Sequence, residues 1–217
     1  MKIRPYQPTD ERAYLNTVAL AYMHSQFRDQ ISDQRDSFSE ADGYRTVISL
    51  VATIDGLVVG VIDAGVFNDD RAQHDIYVQH QGRGSYIEVF AVSPSAQGQG
   101  IGRKLLKACL ANLKTAGADF VEIFTRSDAA ANGLYQSLGV REISHNWRAL
   151  ATPKTYQAPK AKWALDAGTQ ELVLTAAAGR VEALPEYPQW ITFFAEAAMA
   201  DYTITESYRE RTYLLKL

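Results

Sequence analysis

The sequence predicts an α/β protein, with a central β-sheet flanked by helices and followed by an ordered C-terminal extension. Two observations carry this prediction. A strand pattern at residues 86–92 leads through a glycine-rich loop into a helical pattern that begins at Ile101. In addition, two β-branched segments flank Asp55-Gly56, a pair typical of the turn of a β-hairpin.

Length and charge limit the classes of protein that this chain can belong to. Its 217 residues suffice to bury about 70% of the unfolded surface, which favours one large domain or one domain with an appendage. The chain has 22 Lys and Arg against 25 Asp and Glu, a net charge of −3. Because nucleic-acid binders need a basic face, this balance argues against a nucleic-acid partner.

The cellular compartment can be predicted from three features that the sequence lacks: a pair of cysteines, a signal peptide and a membrane helix. The single cysteine, Cys109, excludes an intrachain disulfide and lies in a helical pattern, so we predict a small buried apolar residue. The N-terminus becomes polar at Gln7 without the apolar run of a signal peptide. No apolar stretch reaches the roughly 18 residues of a membrane helix. We therefore expect a cytoplasmic protein with no membrane partner.

The elements before the glycine loop follow from local patterns. Thr9 or Asp10 can cap a helix whose apolar residues recur at helical spacing. An acidic stretch that follows is predicted to be a second helix, and the polar residues before the next strand to be a loop. In order, the predictions are a strand at 3–8, a helix from 9 to 22, an acidic helix at 29–42, a hairpin at 49–67 and a loop at 68–84.

The elements after the glycine loop complete the domain. A helix with apolar Leu105, Leu106 and Cys109 starts at Ile101, and Gly139 is a good stop for the later helix. The remaining predictions are a strand at 120–124, a helix at 128–138 and a strand from 140 to about 147. The extension is predicted to hold a strand at 171–174, a helix at 188–198 and a final strand at 208–217.

The glycine loop can bind an anion. Gly98, Gly100 and Gly102 close a strand and open a helix, where backbone N–H groups and the helix dipole favour a phosphate. The loop does not fit a Walker motif, because Arg103-Lys104 follows Gly102 without a hydroxyl residue. It does not fit the dinucleotide fingerprint either, because Arg103 stands where that motif needs a third glycine.

Three segments resemble the GNAT superfamily of acetyl-coenzyme-A-dependent N-acetyltransferases. Gln97, Gly100 and Gly102 match its loop signature. Residues 86–94 resemble the strand that leads into that loop, and residues 132–140 resemble the later helix that ends in Tyr-x-x-Leu-Gly-Phe, with Val140 in the place of Phe. The resemblance covers residues 1 to about 148 and implies a mixed central sheet.

The resemblance implies acetyl-CoA as co-substrate and identifies a set of cofactor-binding residues. The pyrophosphate is expected over residues 97–102, and the peptide-like pantetheine arm along the strand at 90–92, provided that the neighbouring strand diverges there. Asn132 is expected to contact that arm; a capping or surface asparagine is the alternative. The expected cofactor-binding residues are Phe90, Ala91, Val92, Gln97, Gly98, Gln99, Gly100, Ile101, Gly102, Arg103, Asn132 and Tyr135.

Two residues are candidates for catalysis. By resemblance, Tyr135 is the acid for the departing thiolate, and packing of its ring against neighbouring leucines is the alternative. Glu88 is the candidate base, directly or through a water, because it is the only carboxylate in the strand at 86–92. Strict alternation would place it on the same face as Tyr86 and Phe90. A salt-bridged strand carboxylate is the alternative.

Other chemistry is not supported by the sequence. His24, His74, His80 and His145 are scattered without metal-ligand spacing, so we predict no metal site. No Gly-x-Ser-x-Gly elbow is present, which favours direct transfer over a covalent enzyme intermediate. The acidic residues at 29, 33, 36, 40 and 42 could attract a cationic amine, but a solvated helix face explains them about as well or better.

These observations predict an acyltransferase that moves an acetyl group from acetyl-CoA to a primary amine of a small molecule or peptide. The alternative is a non-catalytic acyl-CoA sensor or structural module. We divide the chain into a GNAT-like domain (1–150), an insertion (151–206) and a closing strand (207–217). Tyr187 or Tyr202 of the insertion is expected to line the acceptor site, while Trp190, Phe193 and Phe194 pack. Alternatively, the extension forms the interface of a homodimer.

Overall fold

The protein is described by a computed structural model that covers residues 1–74, 76–78, 82–158 and 160–217. The chain forms two compact units. The first comprises Met1–His145 together with Glu210–Leu217, and the second comprises Asn146–Arg209. His80 and part of the predicted loop at 68–84 lie outside the described residues.

The first 140 residues contain both strands and helices, as the sequence predicts for an α/β protein, whereas the described residues from 141 onward form strands and one 3₁₀ segment. The strands are β1 (Lys2–Pro5), β2 (Tyr44–Ile54), β3 (Leu57–Phe67), β4 (Ser85–Val92), β5 (Phe120–Thr125), β6 (Arg141–Pro153), β7 (Lys162–Leu165), β8 (Leu172–Ala176), β9 (Gly179–Arg180), β10 (Gln189–Phe193) and β11 (Tyr202–Lys216). The helices are α1 (Glu11–Tyr22), α2 (Arg71–His74), α3 (Ile101–Thr115) and α4 (Ala129–Gln136).

The sheet of the first unit is mixed, and its strands run in the order β1-β2-β3-β4-β5-β11-β6. β4 and β5 are parallel, whereas β1–β2, β2–β3, β3–β4 and β5–β11 are antiparallel. The predicted closing strand is β11, which lies between β5 and β6 and pairs from Arg211 opposite Thr125 to Lys216 opposite Phe120. The predicted mixed central sheet is confirmed.

The hairpin of β2 and β3 is tight because its turn residues adopt positive φ angles. Asp55 has φ 50° and Gly56 has φ 82°, which is the pattern of a type I′ turn. This turn matches the twist of the two strands, and a glycine at its second position carries no steric cost.

Each face of this sheet is covered by apolar side chains from helices. On one face, Leu105, Leu106 and Cys109 of α3 are buried against residues of β2, β3 and β5, as the helical spacing predicts. On the other face, Tyr14 and Val18 of α1 pack against the sheet. The helix at the glycine loop and the strand that precedes it are therefore held rigidly by the core.

The second unit is a small β structure. β10 pairs antiparallel with β6, from Gln189 opposite Ala151 to Phe193 opposite Trp147, and β7, β8 and β9 form a separate three-stranded sheet. Tyr187 and Tyr202 both lie in aromatic pairs, with Tyr156 and Phe193 respectively. That either tyrosine reaches the acceptor site stays a prediction, as do the dimer interface and the domain division.

The predicted helix at 188–198 is wrong. Residues 189–193 form β10, and a 3₁₀ segment follows at Glu196–Asp201. Ile191 and Phe193 alternate into a cluster with Ala149 and Ala151, so packing at a period of two overrides the helical spacing. Phe194, expected to pack, is 87% exposed.

The predicted acidic helix at 29–42 is also wrong. This segment contains only single 3₁₀ turns, at Arg28–Gln30 and Glu40–Asp42. The Asp42 carboxylate accepts hydrogen bonds from the backbone N–H and the hydroxyl of Ser39, at 2.9 and 2.8 Å. Such local bonds stabilise turns at the expense of a continuous helix.

None of the helices in the described part of the chain has the length and apolar character needed to span a bilayer.

Candidate active site

A cleft opens in the sheet where β4 and β5 diverge. Within the described residues these parallel strands are paired at only one position, Tyr86 opposite Glu122. Beyond it, Phe90, Ala91 and Val92 line a cavity of about 490 Å³. The end of α1, the start of α3 and one side of α4 complete its walls. The divergence on which the predicted cofactor site depends is thus present.

Glu88 lies at a β-bulge. Val89 is opposite Asp63 and Ile87 is opposite Ala64, so Glu88 is the extra residue of β4. Because of this bulge, Ile87 and Phe90 pack into the same core cluster although they are three residues apart. The expectation that strict alternation places Glu88 and Phe90 on one face is therefore wrong.

The Glu88 carboxylate lines the cleft and is held by two side chains. It accepts a hydrogen bond from the Tyr44 hydroxyl, and Nη1 of Arg71 lies 3.6 Å from its Oε1. Burial, and then the Glu88 charge, raise the pKa of Tyr44, so the phenol remains a donor. The Glu88 side chain keeps 23% of its surface exposed. It is thus oriented by neighbours while remaining open to a ligand.

The backbone of the glycine loop is not covered by described side chains at Gly98 and Gly100. Gly98 and Gly100 have φ angles of 75° and 74°, which favour glycine, and a Cβ at either would meet no described atom within 4 Å. Gly102 differs, because a Cβ there would contact Phe90, Val92 and Leu134 at ordinary distances of 3.5 to 3.7 Å. Gly98 and Gly100 therefore leave space for a ligand, whereas Gly102 permits close packing.

Further contacts connect this loop to the sheet. The side-chain amide of Gln97 donates to the Val92 carbonyl at 3.0 Å. No side chain of the described residues caps the start of α3, whose N-cap residue is Gly100. The first N–H groups of a helix have no intrahelical partner, so they can bind an anion. Gln97, Gly98, Gly100, Ile101, Gly102 and Arg103 all line the cleft, whereas Gln99 does not.

Tyr135 lies in the cleft wall contributed by α4. Its ring is 5% exposed, with centroids 6.4 Å from Phe90 and 6.4 Å from Tyr213. The helix is capped by Asp128, which accepts a hydrogen bond from the Ala131 N–H at 2.7 Å. Burial raises the pKa of Tyr135 and keeps the phenol neutral. The Tyr135 ring packs against Phe90 and Tyr213. Because Tyr135 also lines the cleft, a ligand in the cleft can contact it.

Asn132 does not line the cleft. Its Nδ2 donates to the carbonyls of Arg126 and Asp128, both at 2.6 Å, and its Oδ1 accepts from the Tyr213 hydroxyl at 2.8 Å. These bonds fix the start of α4, which carries Tyr135. Direct contact of Asn132 with the cofactor stays a prediction.

The structure adds an aromatic wall that the sequence did not indicate. The Phe27 ring lies 5.4 Å from Tyr22 and 6.3 Å from Phe124, centroid to centroid, and all three line the cleft. The Tyr22 hydroxyl lies 3.4 Å from the Phe90 carbonyl, and burial raises the pKa of Tyr22 to about 12. No local pattern could reveal this wall, because it joins α1, an irregular segment and β5.

A buried arginine supports the same wall. Arg126 is 6% exposed and lies 4.6 Å from the centroid of Phe27. It donates to both carboxylate oxygens of Asp29, to the Gln26 carbonyl and, at 3.1 Å, to Glu210. The Arg126 guanidinium lowers the pKa of Asp29. The charge of Asp29 is thus paired within the protein.

The acidic residues at 29, 33, 36, 40 and 42 are all described, and none lines the cleft. The possibility that they attract the acceptor amine is therefore unsupported at this cleft. Among the residues that the structure describes, no group of three or more potential metal ligands is found.

The fold and the cleft define a class of protein. A mixed α/β sheet opens between two parallel strands, next to a glycine loop at a helix N-terminus, and this geometry suits an extended ligand that ends in phosphate. Residues 12–140 match the acetyltransferase (GNAT) family. The chain belongs to this family and is an acyltransferase.

Solved structures share the fold. A ribosomal-protein-alanine N-acetyltransferase from Brucella melitensis is 17% identical, with 100% of each chain covered and a TM-score of 0.55. The yncA protein of Salmonella typhimurium, solved with its cofactor acetyl-CoA, is 19% identical, with 100% of this chain and 94% of that chain covered and a TM-score of 0.56. None of the curated proteins compared with the chain matches its sequence.

Proposed function

We propose that the protein transfers an acetyl group from acetyl-CoA directly to a primary amine of a small molecule or peptide. The observation that carries this proposal is the convergence of Glu88, Tyr135 and the glycine loop on one cleft. An assay of free thiol release with a panel of amines tests it. Binding of acetyl-CoA without amine-dependent thiol release would instead indicate a non-catalytic module.

The residues present fit acetyl-CoA. The open backbone at Gly98 and Gly100 suits a pyrophosphate, and Arg103 adds positive charge at the same end. The pantetheine arm can hydrogen bond to β4 at 90–92, where no β5 pairing competes among the described residues. When bound, the thioester supplies the activated acetyl group.

The chain's own residues then provide proton transfer. Glu88, oriented by Tyr44 and Arg71, accepts a proton from the acceptor amine directly or through one water. Tyr135, neutral because burial raises its pKa, donates a proton to the departing thiolate. Both groups lie on rigid elements, which is the arrangement that positions reactants effectively.

Replacing Gly100 by Asp tests the phosphate cradle. We expect the affinity for acetyl-CoA to fall by about 10²-fold, because the variant places a negative charge where the phosphates approach. Gly100→Asn is the matched control, since it has the same shape and the same backbone strain at φ 74° without the charge. Calorimetry should show a much smaller loss for Asn, and equal losses would remove the charge argument.

Replacing Glu88 by Gln tests the base. Turnover should fall by about tenfold at neutral pH and further at lower pH, because there the amine is mostly protonated and needs a proton acceptor. Glu182→Gln, at a side chain that is 78% exposed, serves as the control. A pH–rate profile that overlays the parent's would place the base elsewhere.

A further inference from the structure

We propose that the acceptor is an apolar, preferably aromatic, primary monoamine without a carboxylate or phosphate group. This inference rests on the proposed function and identifies the class of amine. It is carried by the part of the cleft that the expected cofactor contacts do not use, which includes Tyr22, Phe27 and Phe124.

Aromatic rings dominate this part of the cleft. Phe27 is tilted by 31° to Tyr22 and stands nearly edge-on to Phe124, at 88°. Such an arrangement leaves ring faces and edges for a further aromatic group. The Arg126 guanidinium over Phe27, with its bonds to Asp29 and Glu210, fixes the wall before any ligand binds.

The charges in the cleft fit a single ammonium group. Two described carboxylates line it: Asp128, which caps α4, and Glu88, which contacts Tyr44 and Arg71 but keeps 23% of its side chain exposed. A second ammonium group, as in a polyamine, would find no further carboxylate among the described lining residues. The monoamine is therefore favoured over the polyamine.

The cations in the cleft argue against an anionic acceptor. Among the described lining residues Arg103 is the only cation, and it belongs to the glycine loop where the phosphates are expected. The Arg126 guanidinium over Phe27 is already paired with Asp29 and Glu210. A carboxylate near Phe27 or Phe124 would therefore lose water and have to compete with these pairs for the Arg126 guanidinium. Amino acids and nucleotides are disfavoured for this reason.

The small hydroxyl groups of the cleft are already used. Ser25 Oγ donates to the Tyr22 carbonyl at 3.1 Å and accepts from the Phe27 N–H at 3.0 Å. Thr125 Oγ1 donates to the Arg126 carbonyl at 3.3 Å. A sugar-like acceptor, which needs many hydrogen bonds, would find few groups free to make them.

The test compares kcat/KM for 2-phenylethylamine, phenylalanine, spermidine, propylamine and an alanine-initiated peptide amide, with acetyl-CoA as donor. We expect 2-phenylethylamine to exceed each of the others by about tenfold or more, since burying a ring has an effect of at least this size. Phe27→Ala should reduce the preference for 2-phenylethylamine over propylamine by about tenfold and leave the KM for acetyl-CoA within about twofold.

Two further variants keep the outcome unambiguous. Phe124→Leu, which preserves bulk, should reduce the same preference if Phe27→Ala fails to fold. Phe194→Ala, at an aromatic residue that is 87% exposed, should change nothing. A kcat/KM for phenylalanine, spermidine or the peptide that exceeds that for 2-phenylethylamine would overturn the inference but leave the proposed function intact. An unchanged preference for 2-phenylethylamine over propylamine in both Phe27→Ala and Phe124→Leu would have the same meaning. Absence of thiol release with every amine would overturn both.

Discussion

Tyr135→Phe is expected to lower turnover by about 10²- to 10³-fold while the affinity for acetyl-CoA changes little. The ring packs between Phe90 and Tyr213, so the phenylalanine keeps these contacts and loses only the hydroxyl. A positioned proton donor contributes a factor of this size. Because burial raises the pKa of Tyr135, the hydroxyl stays protonated through neutral and mildly alkaline pH. Its ionisation should therefore not limit the rate there.

Steady-state kinetics and calorimetry together check this result. Tyr156→Phe is the control, because it also removes one phenol that donates a hydrogen bond, at 3.0 Å to the Pro185 carbonyl in the second unit. An unaltered turnover in Tyr135→Phe would leave Tyr135 with a packing role only. A parallel loss of acetyl-CoA affinity would mean that the hydroxyl acts in binding.

Arg126→Ala is expected to reduce the free energy of unfolding by about 3 kcal/mol or more. Breaking a buried ion pair on one side leaves its partner unpaired in a region of low polarity. Here the partner is Glu210, 9% exposed, and Asp29 and the Gln26 carbonyl lose the same donor. Arg126→Lys should restore only part of the stability, because an ammonium cannot make the bidentate contact.

Urea unfolding measures this loss. Arg180→Ala provides the control, since Arg180 and Glu182 form an exposed pair at 3.2 Å whose removal should change stability by less than about 1 kcal/mol. A loss of similar size in both variants would show that the Arg126 network contributes no more than a surface ion pair.

Much of the fold could be predicted because its signals are local. The spacing of Leu105, Leu106 and Cys109 predicted α3, and Asp55-Gly56 predicted the hairpin turn. Where a prediction from the sequence was wrong, contacts between residues distant in sequence determine the structure. Residues 189–193 became β10 because β6 offers small Ala149 and Ala151 to pack against, which no local period can reveal.

The same distinction applies to the candidate site. The glycine loop could be predicted from the sequence because Gly98 and Gly100 adopt backbone angles that other residues avoid. The bulge at Glu88 was not, because it depends on the register between β3 and β4. Arg126 was missed for a similar reason, since its partners Asp29 and Glu210 are distant in sequence.

The divergence of β4 from β5 links ligand binding to folding. A sheet that opens internally leaves backbone N–H and C=O groups at 90–92 without an interstrand partner from β5 in the described chain. On the proposed function, the peptide-like arm of acetyl-CoA would extend the hydrogen-bond ladder of the native state in this opening and would have no such place in the unfolded chain. Mass action would then make the cofactor concentration a determinant of stability, adding about 2.7 kcal/mol at 100 times the dissociation constant. The supply of acyl donor would thus affect both the rate of the enzyme and its stability against unfolding.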